Sequence, residues 1–349
     1  MGSPSVGGYV KIVILGTAGA VPSETAHLPA IMLLYEGQQI LFDAGEDVQG
    51  QFLRANLKFN VPLIICISHM HGDHVLGLPG LLFNFHMGDR TAPLTIIGPA
   101  GIFTFLHHLH EDVGLKVDCP FEIREIAPDL TSIAIATGIG IPAAKIERLS
   151  EERVVFQNDL FSIAAMSVRH SIQTIAYCFH EHPLWGKFHP DAAIEQGIPE
   201  GPQWKKLQEG ISVKVKGRII DPIASGIVDP PLPGRTIIYT GDTTPGPKFE
   251  DLCPSPDILI HESMYLNEHA DLAMEKLHST AQDAAQVAVR CQARYLFLTH
   301  RSSRYSDQST FLTETREIFP NTILVNDLEA YELNKDRSLQ KIEDGQDLH

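Results

Sequence analysis

Five apolar, strand-like runs of this chain end on a residue that can bind a metal or move a proton. "LIICIS" leads into "HMHGDH", which supplies His69, His71, Asp73 and His74. "LFSIAAMSVR" ends at His170, "TIIYTG" at Asp242, "ILIH" at Glu262 and "YLFLT" at His300. A solvated loop has no use for so many imidazoles in so short a stretch, and an apolar core is penalised by them. Gathering reactive groups at strand ends is how a rigid α/β scaffold positions chemistry. The chain is therefore expected to bring these ends together.

Further strand-like runs are "VKIVILG", "AIMLLYEGQQILFDAG", "PLTIIGP" and "TILVNDLEAYEL", rich in Val, Ile and Phe and punctuated by Gly and Asp. Helical patterns lie over 75–87, 100–112, 279–293 and 308–319. This alternation predicts an α/β layered fold with helices covering sheets. Residues 183–221 break the rhythm with Pro, Gly and charge around a short helical pattern at 190–197, and the strand pattern resumes at 235. We read 1–182 and 222–349 as two parts of one core and 183–221 as a projecting arm. An ordinary surface loop fits that composition equally well. The stretch 128–150 suggests no function.

With 349 residues and 44% hydrophobic content, the chain can bury one large or two ordinary cores. No apolar run approaches the about 20 residues of a membrane span, and the start "MGSPSVGGYV" lacks the basic and apolar segments of a secretory signal. Cys66, Cys119, Cys178, Cys253 and Cys291 form no CxxC pair. They read as reduced thiols of a cytoplasmic protein rather than a disulfide framework or a thiolate zinc site. The net charge of −16 excludes indiscriminate nucleic-acid binding, so any RNA contact needs a local basic patch.

Imidazole and carboxylate donors without thiolate suit Zn²⁺, Mn²⁺ or Fe. A loop bent at Gly72 can aim His69 and His71 at one point, and Asp73 with His74 at a neighbouring one. His107, His108 and His110 read as surface residues and His86 as helix packing. "STAQ" reads as a capping box opening the helix at Ser279, with Gln282 in the reciprocal position.

HxHxDH after a strand, followed by His170, Asp242 and His300, resembles the metallo-β-lactamase superfamily. Within it, the chain is similar to the ribonuclease Z family, endonucleases that trim the 3′ ends of transfer RNA. The likeness runs from about residue 10 to residue 333. It rests on "ILGTAGAVP", "LFDAGE", "SHMHGDHVLGLPGLL", "GIPEGPQWKKLQEG", "YTGDT", "IHES", "HST" and "THRSSRY". The resemblance implies an αββα four-layer sandwich with a projecting arm. It also implies two Zn²⁺ per chain (Mn²⁺ or Fe as substitutes): one on His69, His71 and His170, one on Asp73, His74 and His300, with Asp242 bridging. Asp43 stands where the family keeps a carboxylate beside the ligands, though a turn-capping Asp reads equally well there. Such enzymes often carry Pro-x-Lys-x-Arg-Asn after the first strand. This chain has "PSETAH", with Glu24, Ala26 and His27 at those positions, so recognition of mature 3′ ends does not carry over.

The implied reaction is two-metal hydrolysis of precursor tRNA that leaves a 3′ hydroxyl on the tRNA and a 5′ phosphate on the trailer. Asp73 is cast as both ligand and proton acceptor, and Glu262 with His278 as the donor to the leaving oxygen. Substrate-binding candidates are Ser303 and Arg304 together with Lys187, Lys205 and Lys206. The arm carries these three lysines, Lys214, Lys216 and Arg218 against Asp191, Glu195, Glu200 and Glu209. The resemblance suggests that it serves the partner's site in a homodimer. The alternatives are a metal-dependent hydrolase of small esters, lactones or β-lactams, and an RNA-binding protein without chemistry.

Overall fold

The computed structural model describes residues 8–183 and 185–343. A ten-stranded sheet runs in the order Leu339–Ile342, Ala330–Leu333, Val10–Gly16, Ala30–Tyr35, Gln38–Phe42, Leu63–Cys66, Leu94–Pro99, Phe121–Ile126, Ser132–Ala136, Lys145–Arg148. A seven-stranded sheet runs Val154–Gln157, Phe161–Val168, Thr174–Glu181, Thr236–Tyr239, Ile258–Glu262, Tyr295–Thr299, Thr322–Leu324. The stretch 128–150, which suggested no function, adds the antiparallel hairpin that edges the larger sheet.

Alternation along each strand builds the layers. In Gln38–Phe42, Ile40 and Phe42 face Tyr177, Phe179, Tyr239 and Ile260 of the other sheet, while Leu41 turns outward. The outward face packs Val48 and Phe52 of the helix Val48–Arg54 and Leu78, Leu81, Leu82 and Phe85 of the helix Gly77–Met87. On the second sheet, Cys178, Ile238, Leu259 and Leu298 pack outward against Ala281, Ala284, Ala285 and Ala288. These alanines recur at i, i+3, i+4 and i+7, a narrow stripe that lets the helix Ala281–Arg290 lie close to the sheet. Both faces of both sheets are covered, which is why the strands read as continuous apolar runs. The result is the four-layer αββα sandwich.

Residues Glu181–Arg235 form a compact unit of their own. Ala193, Ile198, Leu207, Val213, Ile227 and Val228 are its buried centre, and Trp204 Nε1 donates to the Ile198 carbonyl at 3.1 Å. The unit extends to Arg235 rather than 221 because Ile227 and Val228 complete this small core. At its two ends the buried Arg235 guanidinium holds Glu181 through bonds of 2.7 and 2.6 Å. Its helices are Pro190–Glu195 and Pro202–Gln208; the second of these, like Val48–Arg54, is too short to show a period in the sequence. No helix among the described residues is long and apolar enough to cross a membrane.

The turn after Phe42 also docks on the histidine motif through its backbone. Ala44 N–H donates to the His74 carbonyl and Gly77 N–H to the Ala44 carbonyl, both at 2.9 Å. A Cβ on Gly77 would lie 1.8 Å from the Gly45 carbonyl oxygen, and one on Gly45 would lie 2.7 Å from that of Asp73. Backbone cannot yield as a side chain can. Gly77→Ala should therefore lower the urea midpoint by the equivalent of about 1–3 kcal/mol at unchanged m-value; an unchanged midpoint would show that this contact is slack.

Candidate metal centre

Parallel pairing sends the strands Gln38–Phe42, Leu63–Cys66, Thr236–Tyr239, Ile258–Glu262 and Tyr295–Thr299 toward the ends that carry Asp43, His69, Asp242, Glu262 and His300. Open α/β sheets place ligands at these carboxyl ends. The histidine motif differs from its sequence reading in one respect. Asp73 and His74 lie in a one-turn helix, Gly72–Val75, capped by His71, and Gly72 is helical rather than left-handed. The helical turn, not a glycine bend, aims the two side chains. A left-handed glycine does the aiming at Gly241 (φ 60°), where a Cβ would meet Ser68 at 2.8 Å.

Seven side chains form two groups. His69, His71 and His170 converge, with His69 Nε2 3.0 Å and His170 Nε2 3.3 Å from His71 Nδ1. Asp73, His74, Asp242 and His300 form the other group. Here Asp242 Oδ1 lies 3.4 Å from His74 Nε2 and 3.3 Å from His300 Nε2. Asp242 Oδ2 instead faces the first group, 3.8 Å from His69 Nε2 and 3.9 Å from His170 Nε2. One carboxylate thus turns an oxygen toward each group.

Outer partners fix the tautomers. His74 Nδ1 donates to Asp43 at 2.7 Å and His170 Nδ1 to the Leu277 carbonyl at 2.9 Å. Ser68 Oγ gives its proton to Asp43, so it accepts from His69 Nδ1 at 2.9 Å. Each of these three rings therefore presents an Nε2 lone pair inward, as metal ligands do. Asp242 Oδ1 is buried without a hydrogen-bond partner, which suits a cation in its place. The donor set fits Zn²⁺, Mn²⁺ or Fe.

The electrostatics agree. Burial would raise the Asp242 pKa, but His300 and His74 outweigh it and hold the carboxylate well below its usual range. Asp73 is also held low, because hydrogen bonding to His300 and the charge of His74 overcome its desolvation. Burial and the neighbouring His74 push His69 down, toward the neutral form that ligates. Burial would also lower His74, but without a metal Asp242 and Asp43 outweigh it and favour positive charge there, the charge a bound cation would supply instead.

Beside the second group, His278 Nδ1 contacts Glu262 Oε1 at 2.8 Å, and Glu262 also accepts the Thr243 and Met264 N–H groups. The helix cap is Thr280 with Asp283, one residue later than "STAQ" suggested, and Ser279 Oγ donates to the Thr243 carbonyl. His278 consequently stands two residues before the cap, so Glu262 rather than the helix end governs its charge. Burial lowers its pKa, but the Glu262 carboxylate more than compensates, raising it to about 9.

Of the remaining candidates, Ser303 and Arg304 are exposed, with the Arg304 guanidinium stacked over Tyr265 at 5.0 Å. Lys187, Lys205 and Lys206 are exposed on the smaller unit. His27 of "PSETAH" is tied to Asp327 at 2.8 Å through Nδ1, while Glu24 is exposed. His107 and His108 are exposed. Sequence reasoning missed Ser68 and Tyr239, both of which bond Asp43; the only trace of Tyr239 was its place as an inward residue just before "TGD".

In metal-free protein, the elevated His278 pKa stabilises the fold fully below about pH 6.5, and that contribution fades as pH rises through about 9. An NMR titration of the His278 ring should show this midpoint. Glu262→Gln should drop it to or below the ordinary histidine value; an unmoved midpoint would contradict the pairing.

Comparisons with known proteins extend the picture. A family profile described as "Anti-Pycsar protein Apyc1" matches residues 10–117. Ribonuclease Z of Nitrosopumilus maritimus is 34% identical over 93% of this chain and 100% of its own length. Ribonuclease Z of Bacillus licheniformis is 33% identical over the same shares. Among solved structures, human tRNase Z, short form, superposes with a TM-score of 0.60 at 24% identity, covering 92% of this chain and 98% of that one. The metallo-β-lactamase fold protein YhfI from Bacillus subtilis gives 0.59 at 15% identity, covering 93% and 100%. Structural likeness at that level speaks for the fold, and an identity of about a third over 93% of the chain speaks for the family: the chain belongs to the ribonuclease Z family.

Proposed function

We propose that this protein is a zinc-dependent endoribonuclease that removes the 3′ trailer of precursor tRNA. The observation that carries the reading is Asp242, with one oxygen toward each of two donor groups, in a chain related over 93% of its length to ribonuclease Z. His69, His71 and His170 would hold one ion, and Asp73, His74 and His300 the other, with Asp242 shared. Bound there, zinc supplies Lewis acidity toward a phosphoryl oxygen and a water that ionises near neutral pH.

The chain's own groups do the rest. Asp73 is less buried than Asp242 and accepts a proton from the attacking water. The 3′ oxygen of ribose is a poor leaving group and needs a proton. His278 keeps Nδ1 on Glu262, which leaves Nε2 to donate to that oxygen. The products are tRNA with a 3′ hydroxyl and a trailer with a 5′ phosphate. The exposed lysines of the unit Glu181–Arg235 grip the tRNA body, and we place that unit as an arm serving the partner's site in a homodimer. Five free, buried cysteines suit a cytoplasmic setting.

Zinc-loaded protein should cut a precursor tRNA into those two products and leave a chromogenic β-lactam nearly untouched. Efficient lactam hydrolysis without tRNA cleavage would favour the small-ester reading instead. Lys205→Glu combined with Lys206→Glu should weaken tRNA binding about tenfold or more and flatten its salt dependence. Hydrolysis of bis(p-nitrophenyl) phosphate should be unchanged, since it needs no arm. Equal loss on both substrates would assign the lysines a structural role.

A further inference from the structure

Away from that centre, the fold assembles three side chains that the sequence keeps apart. Cys178 and His180 lie two apart on the strand Thr174–Glu181 and so share one face. Cys253 is the residue at which the short helix Phe249–Leu252 stops. The two sulfurs and an imidazole nitrogen of His180 all lie within 4.8 Å of one another. Both cysteines are buried on the sheet face that packs against the helix Ala281–Arg290. Each thiol donates to the carbonyl of the following residue, at 3.7 and 3.9 Å, which leaves the sulfur lone pairs available. His180 is only half-buried, which gives the cluster an edge toward solvent.

We propose that Cys178, His180 and Cys253 form a separate metal site for a thiophilic divalent cation of the Zn²⁺ class. Binding releases one proton from each thiol. Two thiolates, a neutral imidazole and a divalent ion then sum to no net charge, the balance that a buried location favours. Two sulfurs and one nitrogen are a recognised zinc donor set, with a fourth position left for water on the His180 side. The cysteines gave no CxxC signal because the two sulfurs come from different elements, the strand Thr174–Glu181 and the end of the helix Phe249–Leu252. This site shares no residue with the Asp242 centre, which contains no thiolate.

That difference provides the test. Full-length protein, kept reduced and loaded with Co²⁺, should show a thiolate-to-cobalt charge-transfer band in the near ultraviolet. The band should persist in Asp242→Ala and vanish in Cys178→Ser combined with Cys253→Ser. In the serine variant, the visible cobalt bands of the imidazole–carboxylate centre should remain. His180→Ala, a change at a half-exposed position, should raise the cobalt concentration needed for the band about tenfold or more. Absence of the band in wild-type protein whose thiols titrate as reduced would overturn the proposal, as would its survival in the serine variant. Should the serine variant fail to fold, an unaltered band in folded His180→Ala protein would overturn it as well.

Discussion

The candidate centre hangs on one buried carboxylate, Asp43. It is inaccessible to solvent, yet it accepts from Ser68 N–H at 2.6 Å, Ser68 Oγ–H at 2.7 Å, Tyr239 O–H at 2.6 Å and His74 Nδ1 at 2.7 Å. Isolated burial of such a charge would cost several kcal/mol, and only full hydrogen bonding makes it tolerable. The four donors come from both sheets and from the histidine motif, so satisfying Asp43 fixes the register of one sheet against the other. Its backbone is left-handed (φ 58°), a strain of about 1–2 kcal/mol for a residue with a side chain. The same bonds hold that conformation in place.

From this anchor outward, rigidity passes to the candidate ligands and to His278. Phe42 stacks on Tyr239, whose hydroxyl bonds Asp43, with ring centroids 5.3 Å apart. The Ala44–Gly45 turn locks the one-turn helix that bears Asp73 and His74. Glu262 does for His278 what Asp43 does for His74: a buried carboxylate orients an imidazole through Nδ1 and frees Nε2. In the proposed reaction these two copies of one device serve different ends, the first aimed at metal and the second at a proton. Backbone strain recurs at His300 (φ 53°), within the donor set itself.

Much of this was legible in the sequence because parallel strands are buried on both faces and write themselves as apolar runs. The residue that follows each run then falls at a common edge, so His69, His170, Asp242, Glu262 and His300 could be grouped without coordinates. What escaped was set by short-range geometry that leaves no period. The helix Gly72–Val75 is one turn long, and the cap at Thr280 rather than Ser279 turns on a single residue of register. Composition marked 183–221 as distinct but not its true extent, since Ile227 and Val228 look like ordinary loop apolars until the small core is seen. Cys178 and Cys253 met only through tertiary packing.

The central claim is that Asp242 stands between two bound metal ions. Anomalous diffraction at the zinc absorption edge, from crystals of zinc-loaded protein, tests it most directly. The account predicts two peaks flanking the Asp242 carboxylate, one against His69, His71 and His170 and the other against Asp73, His74 and His300. A single peak in fully active protein, or peaks that leave Asp242 uncontacted, would contradict it.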